Sequence, residues 1–304
     1  MELFKKRETL VQNIAYMAIM AAINVIFVLL SSLLPVLLFI LVFILPLTST
    51  IVTLLCKKRY FPIYFVVTLS LCFAVSAGFS VFDTFIYVLP SLITGFIFGF
   101  CIEKRIAAIY SIIVATIVQY GLTVLTFFAI GKIVTNLNLT ESIIVAFGLG
   151  DYEFKAVFTQ VFLFIISEIQ ILISYIVVRY QVSKLGFDVN LICRYKYIIY
   201  LTELGLLVLT ILSYFYFPTF TIVLTLISLN IYIYQVIDLC LKKRIWIWIS
   251  IAGAHLFFLF FFAFLFQYTV APNQFILFYI LFGLLTIIDF LANYCFKRNR
   301  NNLE

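Results

Sequence analysis

Charged residues are rare in this chain. Asp, Glu, Lys and Arg make up only 11% of its 304 residues, whereas 65% are hydrophobic. An average soluble domain is roughly 45–50% apolar and about 25% charged, so a soluble fold is excluded because it could not bury this much apolar surface. The apolar residues come in blocks of about 20, the length of helix that crosses a bilayer. The composition therefore predicts an all-α, polytopic membrane helix bundle.

Residues that carry enzyme chemistry are also scarce. The chain has one histidine, His255, and its six cysteines form no CxxC pair. It contains no HExxH, no GxSxG and no phosphate-binding Gly-x4-Gly-Lys-Ser/Thr sequence. We therefore predict no catalytic residues, no enzyme activity, no metal site and no cofactor, with the cysteines reduced.

The apolar blocks predict ten transmembrane helices. They cover residues 10–31, 36–56, 60–79, 84–102, 106–131, 154–178, 197–213, 219–241, 246–267 and 273–295. Helices are favoured over the strands of a membrane barrel because the apolar runs are continuous, whereas a barrel strand alternates polar and apolar residues.

The basic residues predict the orientation of these spans. Of the 20 Lys and Arg residues, 18 lie at the two termini or in every second connection, and only Lys132 and Lys155 fall on the other side. Positive charge is retained in cytoplasmic loops. Both termini are therefore predicted in the cytoplasm, and the chain is predicted to lie in a cell membrane. Because the net charge of +7 comes from clusters beside apolar blocks, we predict no nucleic-acid partner.

A short basic segment with Gly186 as a helix breaker divides the chain in two. We predict a six-helix membrane unit at residues 1–180, a cytoplasmic basic connection at 181–196, a four-helix membrane unit at 197–296 and a cytoplasmic basic tail at 297–304. The connection acts as a hinge or is simply a longer loop.

Polar residues inside the sixth and fifth spans predict a ligand site. Glu168 lies near the middle of span six with Gln170 close by, and Gln119 and Tyr120 lie at a comparable depth in span five. A charge at the bilayer centre costs roughly 2.5–3.5 kcal/mol on insertion scales and usually has a function. These four residues are the predicted substrate-binding set. The alternative is that Glu168 is protonated or hydrogen-bonded to another span and only orders the bundle.

The other ionisable residues of the spans are interpreted differently. Asp238, Asp289 and Glu203 lie nearer the cytoplasmic ends, where snorkelling or pairing with the basic clusters is expected. His255 lies in mid-span, and it belongs either to a proton relay or, more commonly for a lone histidine, to hydrogen bonds within the bundle.

Small residues spaced by four predict close helix contacts, because helices without side-chain bulk approach each other closely. Span one carries Ala18 and Ala22 at this spacing, with Ala15 three residues before Ala18. Span four carries Gly95 and Gly99. Both patterns are interpreted as internal packing seams, or, for the alanines, as a docking surface for a separate membrane subunit.

These features resemble a known class of importer subunit. The first half has a basic start, the span-one alanines and two proline-containing stretches, Leu45-Pro46-Leu47 and Leu89-Pro90-Ser91, followed by Gly95 and Gly99. This arrangement is similar to the S components of energy-coupling-factor (ECF) importers. The whole chain resembles the YybS-like family of bacterial membrane proteins, on the further basis of Leu185-Gly186-Phe187, Leu229-Asn230-x4-Gln235 and Gly283-x5-Asp289.

The resemblance implies a substrate-capture subunit of a vitamin or micronutrient importer. It implies an outward-open pocket formed by spans four to six, and Ala15, Ala18 and Ala22 facing an ECF-type transmembrane coupling protein with its ATPases. Two alternatives stay open. One is a membrane scaffold or assembly factor that recruits proteins through its basic loops, and the other is a proton-coupled secondary transporter, which would need several ionisable groups near the midplane.

Overall fold

The computed structural model describes residues 6–77, 87–130, 155–187, 189, 196–216, 218–241, 246, 249–257 and 273–301. These residues are almost entirely helical and contain no strand. The all-α prediction is therefore confirmed for the described part of the chain. Lys132 and residues 188 and 190–195 of the predicted connection at 181–196 lie outside it.

Ten α-helices follow the order of the predicted spans. They are α1 (Leu10–Leu33), α2 (Pro35–Leu55), α3 (Phe61–Ser76), α4 (Leu89–Glu103), α5 (Ala108–Ile130), α6 (Lys155–Lys184), α7 (Lys196–Tyr216), α8 (Pro218–Leu241), α9 (residues 249–257) and α10 (Asn273–Asn301). A 3₁₀ turn, Lys58–Tyr60, precedes α3. Within the described residues, four helical stretches are long and apolar enough to cross a membrane: Leu10–Leu33, Lys58–Ser76, Ala108–Thr126 and Thr159–Lys184. Five further apolar helices are shorter over that part of the chain.

Local sequence explains where α1 starts and where α6 ends. Thr9 caps α1 because its side chain accepts a hydrogen bond from the Gln12 backbone, and the Gln12 side chain bonds back. Helix α6 continues to Lys184, six residues past the predicted end at 178. It ends at Gly186, whose φ of +84° suits a residue without a Cβ atom. The Gly186 and Phe187 amides then bond to the carbonyls of Ser183 and Val182, which closes a Schellman motif.

The chain divides into two compact units, Met1–Cys193 and Arg194–Glu304. In the first unit α2 is central and packs against α1, α4 and α6, while α3 packs on α1 and α5 packs on α4 and α6. In the second unit α8 packs between α7 and α10. Ile251 and Ala254 attach α9 to apolar residues of α8 and α10.

Backbone contacts tie the start of α1 to the end of α2 in the first unit. The Arg7 amide donates to the Leu55 carbonyl at 2.8 Å, and the Lys57 amide donates to Asn13 Oδ1 at 2.7 Å. Asn13 is fully buried and its Nδ2 donates to the Thr9 carbonyl at 2.6 Å. The basic residues before α1 and after α2 therefore lie at the same end of the unit.

The end of α4 joins this basic end through Glu103, which lies one residue beyond the predicted span. Its carboxylate pairs with Lys6 Nζ at 2.6 Å and with Lys58 Nζ at 2.5 Å. Burial favours the neutral acid, but the hydrogen bonds and charges of Lys58 and Lys6 outweigh it and hold the pKa of Glu103 below its usual value.

Candidate functional site

Two of the four predicted substrate-binding residues meet across α5 and α6. Gln119 Nε2 donates to Gln170 Oε1 at 3.2 Å, and Gln119 is only 2% exposed. The other end of the same amide, Gln119 Oε1, is buried and has no hydrogen-bond partner among the described residues. A buried acceptor without a donor raises the free energy of the folded state. Gln119 Oε1 can therefore accept one further hydrogen bond.

Tyr120 makes a second polar contact between the same two helices. Its hydroxyl donates to Gln160 Oε1, and its ring packs edge-on against Phe164 with centroids 5.5 Å apart. Gln160 therefore joins the α5–α6 site, although its position in the sequence sets it one face away from Glu168 and Gln170. We call Gln119, Tyr120, Gln160 and Gln170 the amide site.

Glu168 points to a different side of α6 from Gln170. It is half-buried, and it stands two residues before Gln170. Residues two apart on a helix do not face each other. The structure therefore brings Gln119 and Gln170 together, and Glu168 does not share the face of Gln170, whereas the sequence grouped all of them as one set.

The three alanines of α1 point away from its packing partners. Ala15, Ala18 and Ala22 are exposed, while the neighbouring Ala21 is only 3% exposed and packs inside the unit. The buried side of α1 consists of Asn13, Met17, Ala21, Asn24 and Val28. Their spacing by three and four residues defines one helix face, and the alanine stripe lies outside it.

Gly95 and Gly99 lie against α2. A Cβ atom on Gly95 would be 2.6 Å from Ser49 Cβ and closer still to the Pro46 carbonyl oxygen. A Cβ atom on Gly99 would be 2.6 Å from Thr53 Cβ. The two glycines thus let the α2 and α4 backbones approach, which is how small residues act in membrane helix pairs.

A buried polar cluster that the sequence did not single out joins α1, α2 and α3. Asn24 Nδ2 donates to the Tyr64 hydroxyl at 2.9 Å, and Thr48 Oγ1 donates to Asn24 Oδ1 at 2.8 Å. All three side chains are buried. Because their mutual hydrogen bonds satisfy them, the cluster fits a structural role.

The second unit contains a longer series of polar contacts, which the sequence also left unassigned. The Tyr279 hydroxyl of α10 lies 2.6 Å from Thr210 Oγ1 of α7 and 2.8 Å from Ser228 Oγ of α8. Ser213 and Thr221 are 3.0 Å apart, again between α7 and α8. We call these five residues the hydroxyl seam. No sequence motif marks it, because its members come from three helices.

The ionisable residues of the second unit have separate surroundings. Asp289 accepts from the Tyr200 hydroxyl at 2.9 Å and from Asn293 Nδ2 at 3.0 Å. His255 contacts the Tyr232 hydroxyl through Nε2 and the Ile251 carbonyl through Nδ1 at 2.7 Å. Glu203 is only 6% exposed. The expected snorkelling of Glu203 is wrong, because a snorkelling side chain keeps its charged end in water.

Comparison of the chain with protein-family models, with curated proteins and with solved structures finds no match. The resemblance to importer S components and to the YybS-like family therefore stays a prediction. Among the described residues, no group of three or more His, Cys, Asp or Glu side chains is placed to hold a metal ion.

Proposed function

We propose that this chain is a multi-pass membrane protein of about ten spans, with both ends in the cytoplasm, whose first unit captures a small polar molecule. The unused acceptor at Gln119 carries the proposal, because it offers a ligand a hydrogen bond that no described side chain takes. Small-molecule sites are mostly apolar with a few polar groups, and the α5–α6 contact has this character.

The arrangement of charge supports the proposed orientation. The basic residues before α1, after α2 and after α4 are drawn together by the contacts of Asn13 and Glu103. Positive charge at one end of a membrane helix bundle marks the cytoplasmic side. An impermeant amine reagent added to intact cells is expected to modify Lys132 and Lys155 and to spare Lys6 and Lys58; the reverse pattern would invert the orientation.

The exposed alanines support a partner for the first unit. In lipid, small residues favour helix association because they permit close backbone contact, and Ala15, Ala18 and Ala22 present such a stripe outward. We propose that this surface docks on the transmembrane coupling protein of an ECF-type importer, whose ATPases would supply the energy for substrate release.

The capture site is tested by the change Gln119→Leu. Native mass spectrometry of the protein purified in mild detergent is expected to find a bound small molecule in the unmodified chain and to lose it in the variant. Thr126→Val is the matched control, because Thr126 is equally buried in α5 but bonds only to the Leu122 carbonyl of its own helix. Retention of the molecule by Gln119→Leu would contradict a site at the amides.

The docking surface is tested separately by changing Ala18 and Ala22 together to Leu. Co-purification of a membrane subunit and an ATPase is expected with the unmodified chain and to fail with the double variant. Val66 and Val67 on α3 are also exposed, and changing both to Leu is the control that adds bulk elsewhere. Equal co-purification by both double variants would exclude docking through α1.

A further inference from the structure

Glu203 is a buried carboxyl group without a hydrogen-bond partner in the described part of the second unit. It lies in α7, is 6% exposed, and both of its carboxylate oxygens lack a hydrogen-bond partner among the described residues. An ionised carboxylate without a partner in an apolar interior is very costly, and such a group neutralises instead. The arrangement therefore favours a carboxyl that carries a proton.

The hydroxyl seam lies on the same face of α7 as Glu203, because Thr210 lies seven residues, or two helical turns, further along the helix. Tyr279 contacts both Thr210 and Ser228. Each hydroxyl both donates and accepts, so these three side chains satisfy one another, and among the described residues none of them is hydrogen-bonded to Glu203.

The same geometry argues against a metal cation at Glu203. A cation such as sodium would need several oxygen ligands around it. In the described part of the second unit, the nearby hydroxyls of Thr210, Ser228 and Tyr279 are engaged with one another, and neither oxygen of Glu203 has a polar atom within hydrogen-bonding distance. A proton needs only the carboxyl group itself.

The other titratable groups of the unit leave Glu203 as the distinct site. On α10, Asp289 is held by Tyr200 and Asn293, and Tyr279 contacts Thr210 and Ser228. Among the described side chains of α8, the titratable ones are Tyr232, which is paired with His255 of α9, and Tyr234. No described Lys or Arg side chain is hydrogen-bonded to Glu203.

We propose that Glu203 is a reversible proton-binding site of the second unit. The site is independent of the capture site in the first unit. It gives the last four helices a function of their own, in which the bundle alternates between protonated and deprotonated states of a single buried acid.

The site is tested with dicyclohexylcarbodiimide, an apolar reagent that enters from the bilayer and reacts with protonated carboxyl groups. The acid adds across one C=N bond: its oxygen bonds to the central carbon and its proton passes to nitrogen, and the adduct rearranges to a stable N-acylurea. Peptide mass spectrometry of the full chain in vesicles is expected to find this adduct at Glu203. Its rate should fall about tenfold for each pH unit once the carboxyl deprotonates.

Three variants show whether the adduct depends on the Glu203 carboxyl group. Glu203→Gln should abolish the adduct, and Glu203→Asp should retain it with the same direction of pH dependence. Glu168→Gln, which alters the first unit, should leave labelling of Glu203 unchanged. Absence of the adduct at acidic pH, or a rate that does not change with pH, would overturn the proposal. So would protection by sodium chloride at constant pH, because it would identify a metal cation as the occupant.

Discussion

The two units of the chain join their helices in different ways. In the first unit, Gly95 and Gly99 bring α4 onto the α2 backbone, and Thr50 Oγ1 donates across this contact to the Gly95 carbonyl at 3.0 Å. In the second unit, a Cβ atom on Gly205 or Gly283 would meet nothing within 4 Å, and α7, α8 and α10 are joined by hydroxyl groups. Both units have side-chain hydrogen bonds between helices, and the first unit adds a close backbone contact at Gly95 and Gly99 that Gly205 and Gly283 do not provide in the second.

One glutamate in each unit gives a second comparison. Glu103 of the first unit has two lysine partners at a helix end, whereas Glu203 of the second unit has no hydrogen-bond partner in the described chain. A paired charge at the edge of a bundle stabilises it slightly. An unpaired buried acid destabilises the bundle when it is ionised, so it suits a change of state better than a structural role.

The largest effect that tests this comparison is expected from Gly95→Ala. The new methyl group would strike the α2 backbone at Pro46 and the Ser49 side chain, and the backbone cannot yield. We expect a loss of about 3 kcal/mol in the free energy of unfolding, the upper range for overpacking. Thermal unfolding in detergent, followed by circular dichroism, measures this loss.

Gly283→Ala is the matched control in the second unit. Its methyl group meets open space, and alanine favours a helix over glycine by about 0.5–1 kcal/mol. The control is expected to unfold at the same temperature as the unmodified chain or slightly above it. If both substitutions had equal effects, the distinction between the two kinds of packing would be lost.

An intermediate effect is expected from Tyr279→Phe in the hydroxyl seam. The change removes the contacts with Thr210 and Ser228 but keeps the aromatic ring, which packs against Phe282. The loss should be about 1–2 kcal/mol, because hydrogen bonds between membrane helices contribute modestly. Tyr64→Phe, at the Asn24 cluster, is the equivalent change in the first unit. A larger loss of stability from Tyr64→Phe than from Tyr279→Phe would contradict the interpretation that the second unit depends more on its hydroxyl groups than the first unit does.

The sequence predicted the helices well because the signals for a helix are local. Apolar runs gave ten helices in the observed order, and Gly186 ends α6 with a positive φ. The end of α6 was placed too early because the basic residue Arg179 suggested a loop, although the helix continues past it to Lys184. Charge marks the edge of the hydrocarbon, whereas the helix itself ends where its backbone is capped.

The candidate site was only partly predictable, because it depends on contacts between distant helices. Depth in a span grouped Glu168 with Gln119 and Gln170, but Glu168 and Gln170 point to different sides of α6 because they are two residues apart. Glu203 was expected to snorkel or to pair with the basic clusters, and it instead lies on the buried side of α7. The rotation of each helix is set by its neighbours, and one sequence without relatives carries little information about it.

The smallest effect is expected from Glu103→Gln at the basic end of the first unit. Since Lys58 and Lys6 hold the pKa of Glu103 below its usual value, the carboxylate stabilises the fold above the pKa of the unfolded chain, about 4.3. That stability is lost as the pH falls through the lower pKa of the folded state. At neutral pH the variant should be less stable by up to about 1 kcal/mol, as for other surface ion pairs. The two proteins should converge in acid, and high salt should reduce the difference at neutral pH. A difference that persisted in acid would mean that Glu103 acts by packing and not by charge, and the contrast with Glu203 would then no longer rest on paired and unpaired acids.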